Sequence, residues 1–372
     1  MFELLVVVGA RPNFVKVGPV VASLSERDVV RPRLLHTGQH YDRKMSAAFL
    51  EQLAFPEPEF QLGIGSGSHA EQTAAVLVGV ERVLLDEPFD AILVAGDVNS
   101  TLAAALSATK LGVPVIHLEA GLRSGDWAMP EEINRVVCDR VSDLLLCHSD
   151  EAIDNLVGEG IARDRAVMVG NTMIDSLMRL LPAARAGGAL SRLRISPRDY
   201  VLVTLHRPSL VDDPPSLAAV FDVLAEVARE LPVIFPMHPR TRARLSGDVP
   251  SGMLVTEPLE YLDFIALEEE ARLVITDSGG VQEETSVLGV PCLTYRTTTE
   301  RPVTITHGTN VLVGTEPLAL REACADSLRA GMLDHRPTIP LWDGAAGPRA
   351  AEAIEAFLDR RLSASALAQP SP

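Results

Sequence analysis

Cations and carboxylates recur in this sequence at one kind of place, immediately after a short apolar run. Leu4-Leu5-Val6-Val7-Val8 leads into Gly9-Ala10-Arg11-Pro12-Asn13-Phe14-Val15-Lys16, Ala91–Ala95 into Gly96-Asp97, and Pro114–Leu118 into Glu119-Ala120-Gly121-Leu122-Arg123. Open α/β sheets bind ligands beyond the carboxyl ends of their strands. Arg11 and Lys16 are therefore candidates for substrate phosphates or hydroxyls, and Asp97 and Glu119 would enter the same crevice. The plainer alternatives are surface cations for Arg11 and Lys16 and a helix N-cap for Asp97. Glu119 resists one, because a carboxylate ending an apolar strand is costly unless paired or used. Pro130-Glu131-Glu132-Ile133-Asn134-Arg135 places proline in a first helical turn with two acids beside the positive helix end. Stabilising that terminus is the alternative role for one of them. Asp97, Glu119 and Glu131, gathered with Arg11 and Lys16, would raise one another's proton affinity and supply acid and base forms near neutral pH.

The second half repeats the arrangement. Thr204-Leu205-His206-Arg207-Pro208 follows a strand-like run and offers an imidazole and a guanidinium suited to an anionic leaving group. Pro236-Met237-His238-Pro239-Arg240 has the same placement, and a structural role is equally open to it. Thr276-Asp277-Ser278-Gly279-Gly280-Val281-Gln282-Glu283-Glu284 reads as a strand, a Gly-Gly turn and a helix in succession. Glycine lets backbone approach phosphate, and a helix N-terminus presents free N–H groups. Ser278, Gly279 and Gly280 form a candidate diphosphate cradle, and Glu284, farther along the helix, could accept a ribose diol; a simple helix cap at Ser278 is the alternative. Thr297-Thr298-Thr299-Glu300-Arg301-Pro302 is a candidate lining of the same pocket. A GxGxxG turn, HExxH spacing and a GxSxG nucleophile motif are all absent from the sequence. No metal and no cofactor is expected, since a helix dipole with arginine can hold phosphate without Mg²⁺.

The elements that would position these residues are β-rich runs alternating with longer helical segments, the pattern of βα units and parallel sheets. Predicted strands are Leu4–Val8, Arg33–His36, Ala91–Ala95, Pro114–Leu118, Asp143–Cys147 and Ala166–Val169, then Tyr200–Thr204, Pro232–Phe235, Met253–Val255, Leu273–Thr276, Cys292–Thr294 and Val311–Val313. Ser68-His69-Ala70-Glu71 has capping-box spacing ahead of an apolar-periodic run to Leu85, which predicts a helix there. At 372 residues the chain exceeds what one core usually supports. We expect an N-terminal domain over 1–175 and a C-terminal domain over 176–346, with the crossover near Thr172 to Leu181, followed by a helix over 347–362 and a disordered tail over 363–372.

Composition narrows the function. The chain is 47% apolar but 4% aromatic, which suits buried parallel strands under Ala- and Leu-rich helices. Its formal charge of −17 would repel nucleic acid. Neither a membrane-length apolar run nor a signal sequence is present, so a soluble cytoplasmic protein without a membrane partner is expected. Cys138, Cys147, Cys292 and Cys324 lack CxxC spacing and read as core thiols.

Taken together, GARPNFVK, GDVNST, EAGLRSGD, PEEINR, GNTMID, LHRPS, DSGGVQEE and TTTERP resemble the non-hydrolysing UDP-N-acetylglucosamine 2-epimerases, in that family's order, over roughly residues 9 to 302. The resemblance implies a GT-B fold, two facing Rossmann-like domains with the active site in the interdomain cleft and the 347–362 helix packed back on the first domain. It also implies a UDP-sugar substrate, a homodimer, and anti elimination of UDP across C1–C2 to a 2-acetamidoglucal, followed by re-addition. Carried over by position, Asp97, Glu119 and Glu131 match the family's acid/base carboxylates, and His206 with Arg11 supports the departing diphosphate. Lys16 matches a further cation, Arg135 a substrate-binding residue, Ser278, Gly279 and Gly280 the cradle, Glu284 the ribose acceptor and Phe264 a uracil neighbour. Gln39-His40-Tyr41-Asp42, the loop over 63–67 and the shorter stretch from Arg123 to Pro130 depart from members activated by their own substrate. Related alternatives are a 2-epimerase of a modified sugar such as UDP-2,3-diacetamido-glucuronate, a hydrolysing epimerase and a GT-B glycosyltransferase.

Overall fold

Runs of Val, Ile and Leu bounded by turn residues become strands, the central ones buried on both faces, and among the described residues every strand pairing is parallel. The computed structural model describes residues 1–38, 55–237, 239–244, 249–332 and 336–368. The chain divides into two units, Met1–Ser176 with Pro340–Pro372, and Leu177–Ile339. The division falls inside the helix Thr172–Ala186.

In the first unit β1 (Phe2–Val8), β2 (Val30–His36), β3 (Phe60–Gln61), β4 (Ala91–Ala95), β5 (Val115–Leu118), β6 (Leu144–Cys147) and β7 (Ala166–Met168) form one sheet in the order β3-β2-β1-β4-β5-β6-β7. Two-residue β3 lies at the edge and was not among the predicted strands, being too short to show a pattern. Leu5, Val7, Ile92 and Val94 pack with Val76 and Val80 of the helix His69–Asp86. That helix opens on the predicted capping box: the Ser68 hydroxyl accepts the Glu71 amide, and the Glu71 carboxylate accepts the Ser68 amide.

The helix Ala346–Ala368 completes this unit. Its first amides, from Ala346 and Gly347, donate to the two oxygens of Asp175 at 3.1 and 2.7 Å. Gly347 is needed there, because a Cβ would lie 2.6 Å from the Pro19 carbonyl oxygen. Residues 363–368 are helical where a disordered tail was expected. Alanine and leucine are the strongest helix formers, and they dominate that stretch, with no proline before Pro370 to stop it.

In the second unit β8 (Val201–Thr204), β9 (Val233–Pro236), β10 (Met253–Thr256), β11 (Leu273–Thr276), β12 (Cys292–Thr294) and β13 (Asn310–Leu312) take the order β10-β9-β8-β11-β12-β13. Val201, Val203, Leu217, Val220, Phe235, Leu273 and Ile275 centre its core. All four cysteines are buried free thiols, and burial pushes those of Cys292 and Cys324 up to about 12. No helix among the described residues is long and apolar enough to cross a membrane.

Both sheets reverse strand order beside a central strand. In the first the chain runs outward from β1 to β3 and restarts on the other side of β1 with β4; in the second β8 and β11 have the same relation. The carboxyl ends of these strand pairs are topological switch points, where side chains from two diverging loops share one crevice.

Candidate active site

At the first switch point Asn13 joins the loop after β1 to the end of β4. Its side-chain oxygen accepts the amides of Gly9 and Ala10 at 3.1 and 2.9 Å, and its amide donates to the Ala95 carbonyl at 2.9 Å. One turn later the Lys16 ammonium lies 2.6 Å from the Glu119 carboxylate, both side chains more than nine-tenths buried. Glu119 sits at φ +66°, a left-handed conformation that is unfavourable for a residue with a Cβ and that clusters at functional sites. A Cβ on Gly96 would lie 2.9 Å from the Lys16 nitrogen, so this glycine makes room for the ammonium.

Asp97 does not cap the helix Asn99–Lys110, whose N-cap is Val98. Its carboxylate instead pairs with the buried Arg135 guanidinium, while Asn134 donates to its backbone carbonyl at 2.8 Å. Arg135, expected to touch substrate, is engaged by Asp97 and by Glu132, the latter at 2.6 Å. The two adjacent acids of the helix Pro130–Val141 differ in surroundings, and Glu132 holds the preceding loop rather than the helix terminus. Glu132 is buried and accepts the amides of Ser124 and Gly125 as well as Arg135. Burial opposes its ionisation, but those amides and the guanidinium hold its carboxyl below the usual range. Glu131 is only partly buried.

At the second switch point β8 delivers His206 and β11 delivers Asp277. The Asp277 carboxylate is buried; one oxygen accepts the amides of His206 and Arg207, each at 2.8 Å, and the other lies 2.8 Å from His206 Nδ1. The imidazole is thereby oriented by an acid while 56% of it stays exposed. Burial works against the imidazolium, yet the bond and charge of Asp277 raise the His206 pKa above 6.5, and the same pairing holds Asp277 below its usual range against burial.

The helix Gly279–Leu288 starts beside this pair, and Ser278 at its N-cap makes no side-chain cap, so its first amides stay available to an anion. A Cβ on Gly279 would stand 2.4 Å from an Arg301 nitrogen. Arg301 is buried and held by Glu283 and Glu300, each at 2.6 Å, and Arg296 holds Glu300 at 2.8 Å. The Glu300-Arg301 pair, expected as pocket lining, thus packs against the Gly-Gly turn as a buried ion pair. Glu284 is buried, with its Oε1 accepting the Tyr261 hydroxyl at 2.5 Å. Tyr261 and the half-buried Phe264 share one face of the helix Tyr261–Glu269.

Gln39-His40-Tyr41-Asp42 and His238 lie outside the described residues, as do the side chains of Arg11 and Arg240. Sequence reasoning missed Tyr261, the orienting role of Asp277, and a buried pair behind the first site, His117 and Asp139, 2.6 Å apart. A histidine within the apolar run Val115–Leu118 was the available signal, since a buried polar group requires a partner.

The chain matches the family model described as UDP-N-acetylglucosamine 2-epimerase over residues 22–355. It is 42% identical over 335 residues to the UDP-2,3-diacetamido-2,3-dideoxy-D-glucuronate 2-epimerase of Pseudomonas aeruginosa, covering 89% of this chain and 92% of that protein. To the UDP-N-acetylglucosamine 2-epimerase of Methanocaldococcus jannaschii it is 41% identical over 324 residues, covering 84% and 88%. A crystal structure of the M. jannaschii UDP-GlcNAc 2-epimerase in complex with UDP-GlcNAc and UDP superposes with TM-score 0.86 at 38% identity, covering 95% of this chain and 99% of that one. The α/β architecture of two parallel sheets is the one these epimerase structures share, and the chain belongs to the UDP-N-acetylglucosamine 2-epimerase family.

Proposed function

We propose that the chain is a non-hydrolysing epimerase interconverting UDP-N-acetylglucosamine and UDP-N-acetylmannosamine. The observation that carries this reading is the division of chemistry between the two switch points. The first holds carboxylates paired to buried cations; the second holds an acid-oriented imidazole beside an uncapped helix N-terminus. The sugar's C2–H has no neighbouring carbonyl to acidify it, so loss of the anomeric diphosphate is the available way to activate C2.

In the proposed reaction a carboxylate among Asp97, Glu119 and Glu131 removes the C2 proton. The C–H electrons form C1=C2, and the C1–O bond breaks toward UDP. Protonation of the 2-acetamidoglucal at C2 from the opposite face, with the UDP oxygen returning to C1, gives the epimer. His206 as imidazolium, with Arg11, offsets the charge on departing UDP, and Lys16 fixes Glu119. Arg135 holds Asp97 in place. The amides over Ser278, Gly279 and Gly280 bind the diphosphate, Glu284 accepts the ribose diol, and Phe264 lies against the uracil. Incubation with UDP-N-acetylglucosamine tests the reading: an equilibrium mixture with UDP-N-acetylmannosamine is expected, whereas free N-acetylmannosamine with UDP would replace it by hydrolysis. UDP binding without conversion would refute this substrate and direct the assay to UDP-2,3-diacetamido-glucuronate.

A further inference from the structure

The His117–Asp139 pair stands outside the proposed chemistry, and both side chains are fully buried. His117 Nε2 is 2.9 Å from the Gly96 carbonyl; a carbonyl only accepts, so Nε2 carries a hydrogen. One Asp139 oxygen accepts the Gly121 amide at 3.1 Å and the Arg123 guanidinium at 2.7 Å. The guanidinium in contact favours the charged form of the acid, so Asp139 is a carboxylate. Its other oxygen lies 2.6 Å from Nδ1, where two bare acceptors would repel, so Nδ1 carries a hydrogen as well. Both ring nitrogens are donors, which makes the ring an imidazolium.

A core that needed only volume would take an apolar side chain here, because replacing a buried ion pair by well-packed apolar groups is often neutral or stabilising. What the pair does hold is backbone. Gly96 immediately precedes Asp97, and Gly121 comes two residues after Glu119. Gly96, Glu119 and Gly121 all have positive φ, at +66°, +66° and +82°. A Cβ at Gly121 would lie 2.2 Å from the Ala152 carbonyl oxygen. Glycine adopts such angles freely, but Glu119 does not, and its loop keeps that sparsely populated conformation only if its surroundings fix it.

We propose that His117 is a positioning residue: its imidazolium clamps the Gly96 carbonyl and, through Asp139, the Gly121 amide, and so sets the spacing of Asp97 and Glu119. The charged groups around it are Asp139 and, through Asp139, Arg123, with the Cys138 thiol alongside. Burial alone would strip the proton from the ring, but the Cys138 and Asp139 side chains hold its pKa well above the ordinary imidazole range. The proposal rests on Asp97 and Glu119 acting on the sugar.

The test uses the full chain. His117→Phe keeps the ring's shape and removes both hydrogen bonds; kcat should fall about 10²-fold, the size a misplacement of about 1 Å produces, with UDP affinity unchanged. Asp139→Asn can donate to Nδ1 of a neutral ring and leave Nε2–H on Gly96, so kcat should stay within about tenfold. Ring ¹⁵N spectra should show two N–H groups on His117 in the wild type at pH 7 and one in Asp139→Asn. Wild-type kcat in His117→Phe with only a lowered melting temperature, or a single ring N–H in the wild type, overturns the proposal. If His117→Phe does not fold, the wild-type ring spectrum and Asp139→Asn still decide, since a loss well beyond tenfold in the latter contradicts the hydrogen-bond account. Glu119→Gln is assayed in parallel. Full activity there removes the catalytic reading beneath the proposal, whereas an inactive Glu119→Gln beside a fully active His117→Phe removes the positioning role alone.

Discussion

Replacing Asp277 by Asn changes one charge at the second switch point and preserves its shape. In the native pair one oxygen of Asp277 accepts two backbone amides and the other faces His206 Nδ1 at 2.8 Å. Asparagine can keep the amides on its oxygen, but its NH₂ then donates to Nδ1, which must give up its hydrogen. A charge-assisted hydrogen bond contributes about 1.5–3 kcal/mol and a neutral one about 0.5–1.5. The imidazolium therefore loses about 1–2 kcal/mol of preference, or about 5–30-fold in its population wherever His206 titrates. His206 is raised above 6.5 by Asp277 against the effect of burial. The wild type thus keeps its proton to higher pH than an unperturbed imidazole, and the variant loses it earlier as pH rises. If the imidazolium supports the departing diphosphate, kcat/KM of Asp277→Asn should approach the wild-type value toward acid pH and fall about 5–30-fold below it on the alkaline side. Full pH–rate profiles of the epimerisation measure this. Superimposable alkaline limbs, or a limb displaced to higher pH in the variant, would refute the role given to the pair.

Asp97→Asn, Glu119→Gln and Glu131→Gln should each lower kcat by about 10²–10⁴-fold while UDP binding by calorimetry stays intact; wild-type turnover in all three would remove the elimination chemistry. Lys16→Met strands the buried Glu119 carboxylate and should destabilise the fold by about 3 kcal/mol in denaturant titration at pH 7, with part recovered in Lys16→Met/Glu119→Gln. Gly279→Ala places a methyl group 2.4 Å from an Arg301 nitrogen; displacing that buried arginine should cost about 1–3 kcal/mol of stability and weaken UDP binding. An unchanged melting temperature and unchanged UDP affinity in Gly279→Ala would contradict the tight packing of Arg301 against the turn.

The central strands were legible because both faces are buried, which writes them as unbroken apolar runs such as Leu4–Val8 and Ala91–Ala95. The strand Phe60–Gln61 was not, since two residues at a sheet edge carry no pattern. Site residues were visible for a related reason: a polar residue directly after such a run must emerge at the sheet's carboxyl edge. Pairing was the hidden part. Glu131 and Glu132 are neighbours in sequence but about 100° apart around a helix, and only the fold turns Glu132 inward onto Ser124, Gly125 and Arg135. Asp97 has the residue type of a helix cap, yet the helix begins one residue too late for it and Arg135 claims its carboxylate. His117 and Asp139 come from a strand and a helix separated by 22 positions, and no local spacing links them.

The central claim is that C2 loses and regains a proton while UDP departs and returns. Incubating the enzyme with UDP-N-acetylglucosamine in D₂O, and following the sugar H1 and H2 signals by NMR, tests it most directly. The account predicts UDP-N-acetylmannosamine carrying deuterium at C2. Epimer that retains its original hydrogen at C2, or no epimer at all from protein that binds UDP, would contradict it.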